Sequence, residues 1–206
     1  MALQEFLTQM SFLALCAFVN KLGLEASSGY GMACKIVNFA MLVPSALMQS
    51  MASFVSQNVG AGKLDRLGQG LRSAVILGAV YSAIILLVLI VFGQNLVYLF
   101  VDPKETVVVA QARQFLITNA VFYVPLALVN IVRFLIQGMG FSGFAVFAGV
   151  FEMIARALVG LAFVPLFGYS AACFASPLAW IFADCFLIPA FFHCRKKLMQ
   201  AGSDQM

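Results

Sequence analysis

Charged residues are scarce in this chain. Asp, Glu, Lys and Arg make up 10% of its 206 residues, whereas 63% are hydrophobic. An ordinary soluble domain carries about 25% charged residues. So few ionisable side chains cannot coat a surface that faces water, which excludes a soluble domain of the usual kind. We therefore expect membrane lipid to be the solvent around most of the chain.

Histidine and the motifs of several enzyme classes are also lacking. His193 is the single histidine, which excludes a His-based catalytic triad and a His-rich zinc cluster. Gly62-Lys63 is followed by Leu64 rather than Ser or Thr, so the chain has no phosphate-binding loop for ATP. The five cysteines show no Cys-x-x-Cys spacing and are expected to be small apolar helix residues. The sequence predicts no enzyme, no cofactor and no metal site.

Six apolar stretches make up most of the chain. Each is close to or above the roughly 20 residues that an α-helix needs to cross hydrocarbon. They span residues 2–20, 30–57, 71–100, 107–137, 144–167 and 171–194. Short turns rich in glycine connect them, and no linker marks a domain boundary. We predict an all-α membrane protein in which residues 1–206 form a single domain of six transmembrane helices.

Prolines fall within or at the ends of four of these stretches. They are Pro44, Pro125, Pro165, Pro177 and Pro189. Inside a membrane such residues are tolerated as kinks, because neighbouring helices can satisfy the carbonyls that they free. The sequence therefore predicts several bent helices.

Basic residues are distributed unevenly among the connections. Lys63, Arg66 and Arg72 share one short loop, and residues 195–197 are Arg-Lys-Lys. Lys and Arg are retained in the cytoplasm, so we expect these segments and both termini on that side of the inner (plasma) membrane. This topology accounts for the net charge of +4, and no nucleic-acid partner is expected.

Polar side chains follow one face of two predicted helices. At 100° per residue they fall within about 120° on the second helix and about 80° on the fourth, whereas the third is almost wholly apolar and is expected to face lipid. The stripes are Lys35, Asn38, Ser45, Gln49, Ser53, Ser56 and Gln57, and Asn119, Tyr123, Asn130, Arg133 and Gln137. Glu152 and Arg156 add an i,i+4 pair on the fifth helix. Ionisable groups are costly in hydrocarbon, so these faces are expected to avoid lipid.

Two interpretations of the buried charges remain open. In one, the cations Lys35, Arg133 and Arg156 and the acids Glu5, Glu152 and Asp184 form ion pairs that fix helix register. In the other, they line a solvated cavity for substrate and ions. The recurrence of amides and hydroxyls along two helices favours the cavity. Its predicted lining is Glu5, Lys35, Asn38, Gln49, Asn119, Tyr123, Asn130, Arg133, Glu152, Arg156 and Asp184.

Several parts of the sequence resemble a known family. Residues 33–39, Ala-Cys-Lys-Ile-Val-Asn-Phe, followed by Pro44 and by residues 53–62, Ser-Phe-Val-Ser-Gln-Asn-Val-Gly-Ala-Gly, are similar to the eighth helix and following loop of multidrug and toxin extrusion (MATE) transporters. Arg133 with Gln-Gly-Met-Gly at 137–140 resembles the end of the tenth helix, and the Glu152–Arg156 pair resembles the eleventh. These similarities extend over nearly the whole chain in the expected order.

The resemblance implies one lobe of an ion-coupled antiporter. MATE transporters have two six-helix lobes and export cationic, often aromatic drugs in exchange for sodium or protons. This chain then corresponds to the second lobe, and we expect it to need a first lobe, from the same gene or from a partner chain, and to be inactive alone. Helix 4 offers Asn130 and Arg133 where some sodium-coupled relatives have a carboxylate, so Na⁺ and H⁺ both remain open. Two alternatives are a lobe of a lipid-linked oligosaccharide or polysaccharide exporter of the same superfamily and a non-transporting membrane scaffold.

Overall fold

The computed structural model describes the backbone of residues 2–203 and the side chains of residues 6–200. Those residues are almost entirely helical, and no strand occurs among them. The helices are α1 (Ala2–Asn20), α2 (Leu24–Ala40), α3 (Leu42–Gly60), α4 (Asp65–Tyr98), α5 (Thr106–Val121), α6 (Tyr123–Gly138), α7 (Ser142–Leu158), α8 (Val164–Phe167) and α9 (Tyr169–Ser203). A π-helical turn at Val159–Phe163 joins α7 to α8.

Two of the predicted helices are broken near a proline. The axes of α2 and α3 meet at 46° around Met41, and those of α5 and α6 meet at 55° around Phe122. Met41 and Phe122 each stand three residues before a proline, Pro44 and Pro125. A proline ring clashes with the carbonyl four residues earlier and offers it no N–H, so the helix breaks between the two. Bent pairs of helices therefore occupy the two stretches, 30–57 and 107–137, in which the prolines predicted a kink.

A tyrosine from another helix satisfies the carbonyl at the first break. Pro44 cannot donate to the carbonyl of Ala40, four residues before it. The hydroxyl of Tyr81, on α4, donates to that oxygen at 2.6 Å instead. A carbonyl without a donor is costly where water is excluded, so this bond lets the bend exist inside a membrane.

The other three prolines cause no sharp break. Pro165 follows the π-helical turn, whose extra residue relaxes the hydrogen-bond ladder just before it. Pro177 and Pro189 lie inside α9, which runs without interruption over 35 residues. Proline thus predicts irregularity along the chain but not its degree.

Helix length and composition support several membrane crossings. Within the described residues, three helical segments are long and apolar enough to cross a membrane, and counting each bent pair as one crossing raises the number to five. They are Asp65–Tyr98, Ser142–Phe167 and Tyr169–Gln200. The described apolar part of α1, Phe6–Asn20, is shorter than a full crossing. The count of six crossings therefore stays a prediction.

The bundle is organised around α6 and α9. The helix α6 packs against α3, α4 and α9, and α9 also packs against α7 and α5, while α1 packs on α7 and α2 on α5. Glycines allow close approach in this core: a Cβ on Gly138 of α6 would lie 2.8 Å from the Cβ of Val55 on α3. On the outside, α4 exposes a row of large apolar side chains, as a helix in contact with lipid requires. The row includes Ile76, Leu77, Val80, Ile84 and Leu87.

Candidate functional site

A cavity of about 490 Å³ lies among α1, α2, α3, α5, α6, α7 and α9. Its walls combine aromatic rings with amides, hydroxyls and charged groups. The aromatic residues are Phe12, Tyr30, Phe115, Phe134 and Trp180, and the polar ones are Thr8, Gln9, Asn38, Ser45, Asn119, Asn130, Arg133, Glu152, Arg156 and Ser176. Such a mixture suits a ligand that is both apolar and polar.

Three charged residues form a cluster at one wall of the cavity. The carboxylate of Glu152 accepts a hydrogen bond from Nη2 of Arg133 through Oε1 and one from Nη2 of Arg156 through Oε2, the latter at 3.3 Å. All three side chains are buried. Glu152 and Arg156 meet because they are four residues apart on α7, whereas Arg133 reaches them from α6. We refer to Arg133, Glu152 and Arg156 as the charge cluster.

The charge cluster is anchored to α1. Nη1 of Arg156 donates to Oγ of Ser11 at 3.0 Å, and the guanidinium carbon lies 4.2 Å from the centroid of the Phe12 ring. Ring stacking suits the planar, weakly hydrated guanidinium group. With one carboxylate for two guanidinium groups, the cluster carries a net charge of +1. It therefore joins α1, α6 and α7 and sets the electrostatic potential of the cavity wall.

Two predicted amides lie on the α5 and α6 walls of the cavity. Nδ2 of Asn119 donates to the carbonyl of Phe115, and Nδ2 of Asn130 donates to that of Leu126, each at 2.9 Å and four residues back along its own helix. An amide has a second N–H and an acceptor oxygen beyond that bond. Asn119 and Asn130 therefore retain hydrogen-bonding capacity for a ligand.

Tyr123 and Asp184 are buried but do not line this cavity, and Tyr123 instead lines a smaller one among α3, α4 and α6. The ring of Tyr123 packs against Trp180 at a centroid distance of 6.5 Å, and its hydroxyl has no hydrogen-bond partner. Asp184, on α9, interacts electrostatically with Glu152 and Arg133. Its Oδ1 atom also lacks a hydrogen-bond partner. Asp184 is thus a second acid close to the charge cluster.

The polar stripe of the second predicted helix is divided by the bend at Met41. Asn38 and Ser45, on either side of the bend, line the cavity. Lys35 and Gln49 are exposed and do not line it, and Nζ of Lys35 lies 6.0 Å from the ring centroid of Phe100. Ser53, Ser56 and Gln57 are exposed on α3 as well. The side chain of Glu5 lies outside the described residues.

Several lining residues had no signal in the sequence. Phe12, Tyr30, Phe115, Ser176 and Trp180 line the cavity but were not among its predicted lining, which was chosen from charged and amide side chains and Tyr123. Tyr30 reaches the wall through an edge contact with Phe115 at 5.0 Å between ring centroids. Aromatic walls of this kind follow from the packing of helices that are distant in sequence. Helical periodicity alone does not reveal them.

The fold agrees with what comparison with known proteins finds. Residues 1–162 match the family model described as MatE. This chain belongs to the MATE family. It is 26% identical over 109 residues to the probable multidrug resistance protein YoeA of Bacillus subtilis (strain 168), an alignment that covers 53% of this chain and 24% of YoeA.

Solved structures of MATE-like transporters show the same fold. The chain superposes on a MOP superfamily transporter from Pyrococcus furiosus with a TM-score of 0.80 at 18% identity, covering 94% of this chain and 43% of that one. The MATE transporter VcmN of Vibrio cholerae, in its bent form, gives a TM-score of 0.80 at 17% identity, covering 97% of this chain and 44% of VcmN. The chain thus spans less than half the length of these relatives.

Membership of the MATE family confirms several predictions. MATE proteins are multi-pass membrane transporters rather than enzymes, and the family needs no cofactor. The predicted all-α membrane fold is confirmed as well.

Proposed function

We propose that this chain is the second six-helix lobe of an antiporter that exports cationic, often aromatic compounds in exchange for Na⁺ or H⁺. The observation that carries the proposal is the 490 Å³ cavity, whose wall combines five aromatic rings with amides and hydroxyls. Aromatic faces attract organic cations, and this attraction is stronger in a water-poor cavity than in bulk water. The relative YoeA, a probable multidrug resistance protein, supports multidrug export as the activity.

The coupling ion, Na⁺ or H⁺, and the cationic substrate compete for carboxylates in or near the cavity. Glu152 lies at the cavity wall, Asp184 lies behind it, and Glu5 is the predicted acid of α1. An ion bound to one of these acids makes the cavity more positive and so weakens binding of a cationic substrate. Reciprocal weakening of this kind is what antiport requires.

Transport requires a second body, and we propose that a first lobe supplies it. Alternating access in transporters built from repeats rocks one repeat against the other around a shared site. The chain covers 43–44% of the solved relatives, which is the share expected of one lobe. Exposed polar residues on α3, such as Ser53 and Ser56, are suited to face that lobe rather than lipid. The proposed location is the inner (plasma) membrane with both termini in the cytoplasm.

A second candidate function is favoured by the excess of positive charge. Arg133 and Arg156 share one carboxylate, and guanidinium groups bind phosphate well. A lobe of a lipid-linked oligosaccharide exporter, whose substrate carries phosphate, would use this excess. Binding of an anionic lipid carrier but not of a cationic dye would favour that function.

Dye efflux tests the leading proposal. The chain is expressed in an efflux-deficient bacterium with and without a cognate first lobe, and the release of ethidium is followed by fluorescence. Efflux is expected from the pair and not from the chain alone. Efflux by the isolated chain as a monomer would overturn the proposal that it is half of a transporter.

Matched asparagine variants test the cavity itself. Asn38 is an exposed residue of the cavity wall, and Asn95 is an exposed asparagine of α4 outside it. In the assembled pair, Asn38→Ala is expected to lower the efflux rate about fivefold, the effect of one lost hydrogen bond of about 1 kcal/mol. Asn95→Ala should leave it unchanged. Equal rates for both variants would contradict a role for this cavity.

A further inference from the structure

Positive charge is concentrated at one end of the bundle. Segments 61–72 and 190–200 contain six of the twelve Lys and Arg residues and one of the eight acids, so they carry a net charge of +5 and the rest of the chain −1. The two segments lie side by side, because the guanidinium group of Arg195 is within 4 Å of the position that a Cβ on Gly68 would take. The basic residues are Lys63, Arg66, Arg72, Arg195, Lys196 and Lys197. Within the described side chains, none of them forms a salt bridge.

A surface pocket lies in this region, at the end of α9. It is a shallow, open depression and is lined by Phe192, Arg195, Lys196, Met199 and Gln200. Two cations therefore stand beside an aromatic and an aliphatic side chain that are themselves exposed, Phe192 by 60% and Met199 by 40%. We refer to these five residues as the basic pocket.

An apolar stripe along α9 leads into the basic pocket. Its members are exposed and follow one another at intervals of three or four residues, which places them on one face of the helix. They are Phe174, Leu178, Ile181, Cys185, Ile188 and Phe192. Arg195, Lys196 and Met199 continue the same spacing. One face of α9 is thus apolar over several turns and then basic.

We propose that this face of α9 binds an anionic phospholipid of the adjacent leaflet. The phosphate group lies between Arg195 and Lys196, and an acyl chain lies along the apolar stripe from Phe192 towards Phe174. Clustered Lys and Arg residues at a helix end attract anionic headgroups, and exposed apolar residues beside them require lipid contact. A soluble anion would interact with the cations of the basic pocket but not with the apolar stripe. The proposal is independent of the transported substrate.

Lipid-dependent stability of the full chain tests this proposal. The purified chain in a neutral detergent is titrated with phosphatidylglycerol or with phosphatidylcholine, and thermal unfolding is followed by circular dichroism. A ligand of the folded state raises the unfolding midpoint in proportion to its occupancy. Phosphatidylglycerol is expected to raise the midpoint well below the concentration at which phosphatidylcholine acts. Equal responses to the two lipids would overturn the proposal.

Charge variants locate the headgroup. Arg195→Gln with Lys196→Gln removes two cations from the basic pocket, and Lys104→Gln with Arg113→Gln removes two exposed cations outside it. Each basic residue contributes about 1 kcal/mol, so the first pair is expected to weaken the apparent affinity for phosphatidylglycerol about 30-fold and the second pair much less. Lys196→Gln alone, at an exposed position, gives about a fivefold loss if Arg195 proves necessary for folding. Similar losses from both pairs would show general surface attraction and refute the pocket.

Two further experiments distinguish binding of a lipid from binding of a free phosphate ion. Phe192→Ala removes the apolar residue next to the cations, and Phe147→Ala removes an equally exposed phenylalanine of α7, each being 60% exposed. Only the first is expected to weaken phosphatidylglycerol binding, by several-fold. Glycerol phosphate at the same phosphate concentration is expected to leave the unfolding midpoint unchanged. Stabilisation by glycerol phosphate that matches the lipid would contradict the proposal.

Discussion

At the scale of single residues, Glu152 is the acceptor that two buried guanidinium groups share. Arg133 and Arg156 are each at most 4% exposed, and Glu152 is the described acid that forms salt bridges with both. Removing one partner of a buried ion pair leaves an uncompensated charge, which usually costs about 3–5 kcal/mol. The stability of the region around α6, α7 and α1 therefore depends on this one carboxylate.

Glu152→Gln is accordingly expected to destabilise the chain by about 3–5 kcal/mol, because it removes the negative charge and keeps the side-chain volume. The measurement is thermal unfolding of the detergent-solubilised protein. Glu25→Gln, at an exposed position near the start of α2, is the matched control and should change stability by less than about 0.5 kcal/mol. Equal stability of the two variants would show that the charge cluster is not structural.

Only part of the charge cluster follows from the sequence. The spacing of four residues along one helix predicted that Glu152 and Arg156 share a face, and the structure places them 3.3 Å apart. The contact with Arg133 depends on how α6 packs against α7. Helical periodicity shows which residues share a face but not which helix that face contacts. The same limit explains why the aromatic wall of Phe12, Tyr30 and Trp180 was missed.

At the scale of helices, each sharp bend is set by a proline and supported by its neighbours. At the first bend, the support is the bond from Tyr81 to the carbonyl of Ala40. A sequence shows that Pro44 frees this carbonyl, but the donor comes from 37 positions beyond the proline, on another helix. Kinks were therefore predictable, whereas their angles of 46° and 55° were not.

Tyr81→Phe should destabilise the bend between α2 and α3. The variant keeps the ring and removes only the hydroxyl, so the carbonyl of Ala40 loses its donor at an estimated cost of about 1–3 kcal/mol. Tyr98→Phe, at an exposed position where Gln94 donates to the hydroxyl, is the control and should be nearly neutral. Thermal unfolding of both variants checks this, and a neutral Tyr81→Phe would mean that another donor satisfies the bend.

Close packing between α3 and α6 should make Gly138 intolerant of a side chain. A Cβ at this position would lie 2.8 Å from the Cβ of Val55 and 2.9 Å from the carbonyl oxygen of Ala52. Overpacking of this kind typically costs about 1–3 kcal/mol, which Gly138→Ala should show as a lower unfolding midpoint. The same substitution at Gly143, which has no atom within 4 Å of the added carbon, should be neutral or slightly stabilising. The opposite ranking of the two variants would disprove the tight contact.

At the scale of the whole molecule, composition determines the membrane fold, and the placement of charge determines the expected orientation in the membrane. The all-α membrane fold was predictable because 63% apolar residues in long stretches leave few alternatives. The number of membrane crossings was less predictable, because two helices are bent and α1 is short, so that length alone does not identify a crossing. The lobe arrangement came from the family resemblance and not from hydropathy.

Cysteine labelling tests the proposed orientation. In a background with the five native cysteines replaced by alanine, Lys63→Cys and Lys104→Cys place single thiols at exposed positions in loops at opposite ends of α4. A membrane-impermeant maleimide added to intact spheroplasts should label the second and reach the first only after permeabilisation. The reverse pattern would invert the topology.

Because charge is distributed unevenly between its ends, the orientation in which the chain inserts should also depend on the membrane potential. A membrane potential acts on each elementary charge with about 2.3 kcal/mol per 100 mV. If the end that carries +5 were outside a cell whose interior is negative, the electrostatic free energy of that orientation would be less favourable by on the order of 10 kcal/mol at 100 mV. We therefore expect an energised cell to hold this chain in a single orientation, and dissipating the potential with an uncoupler during synthesis should produce inverted molecules.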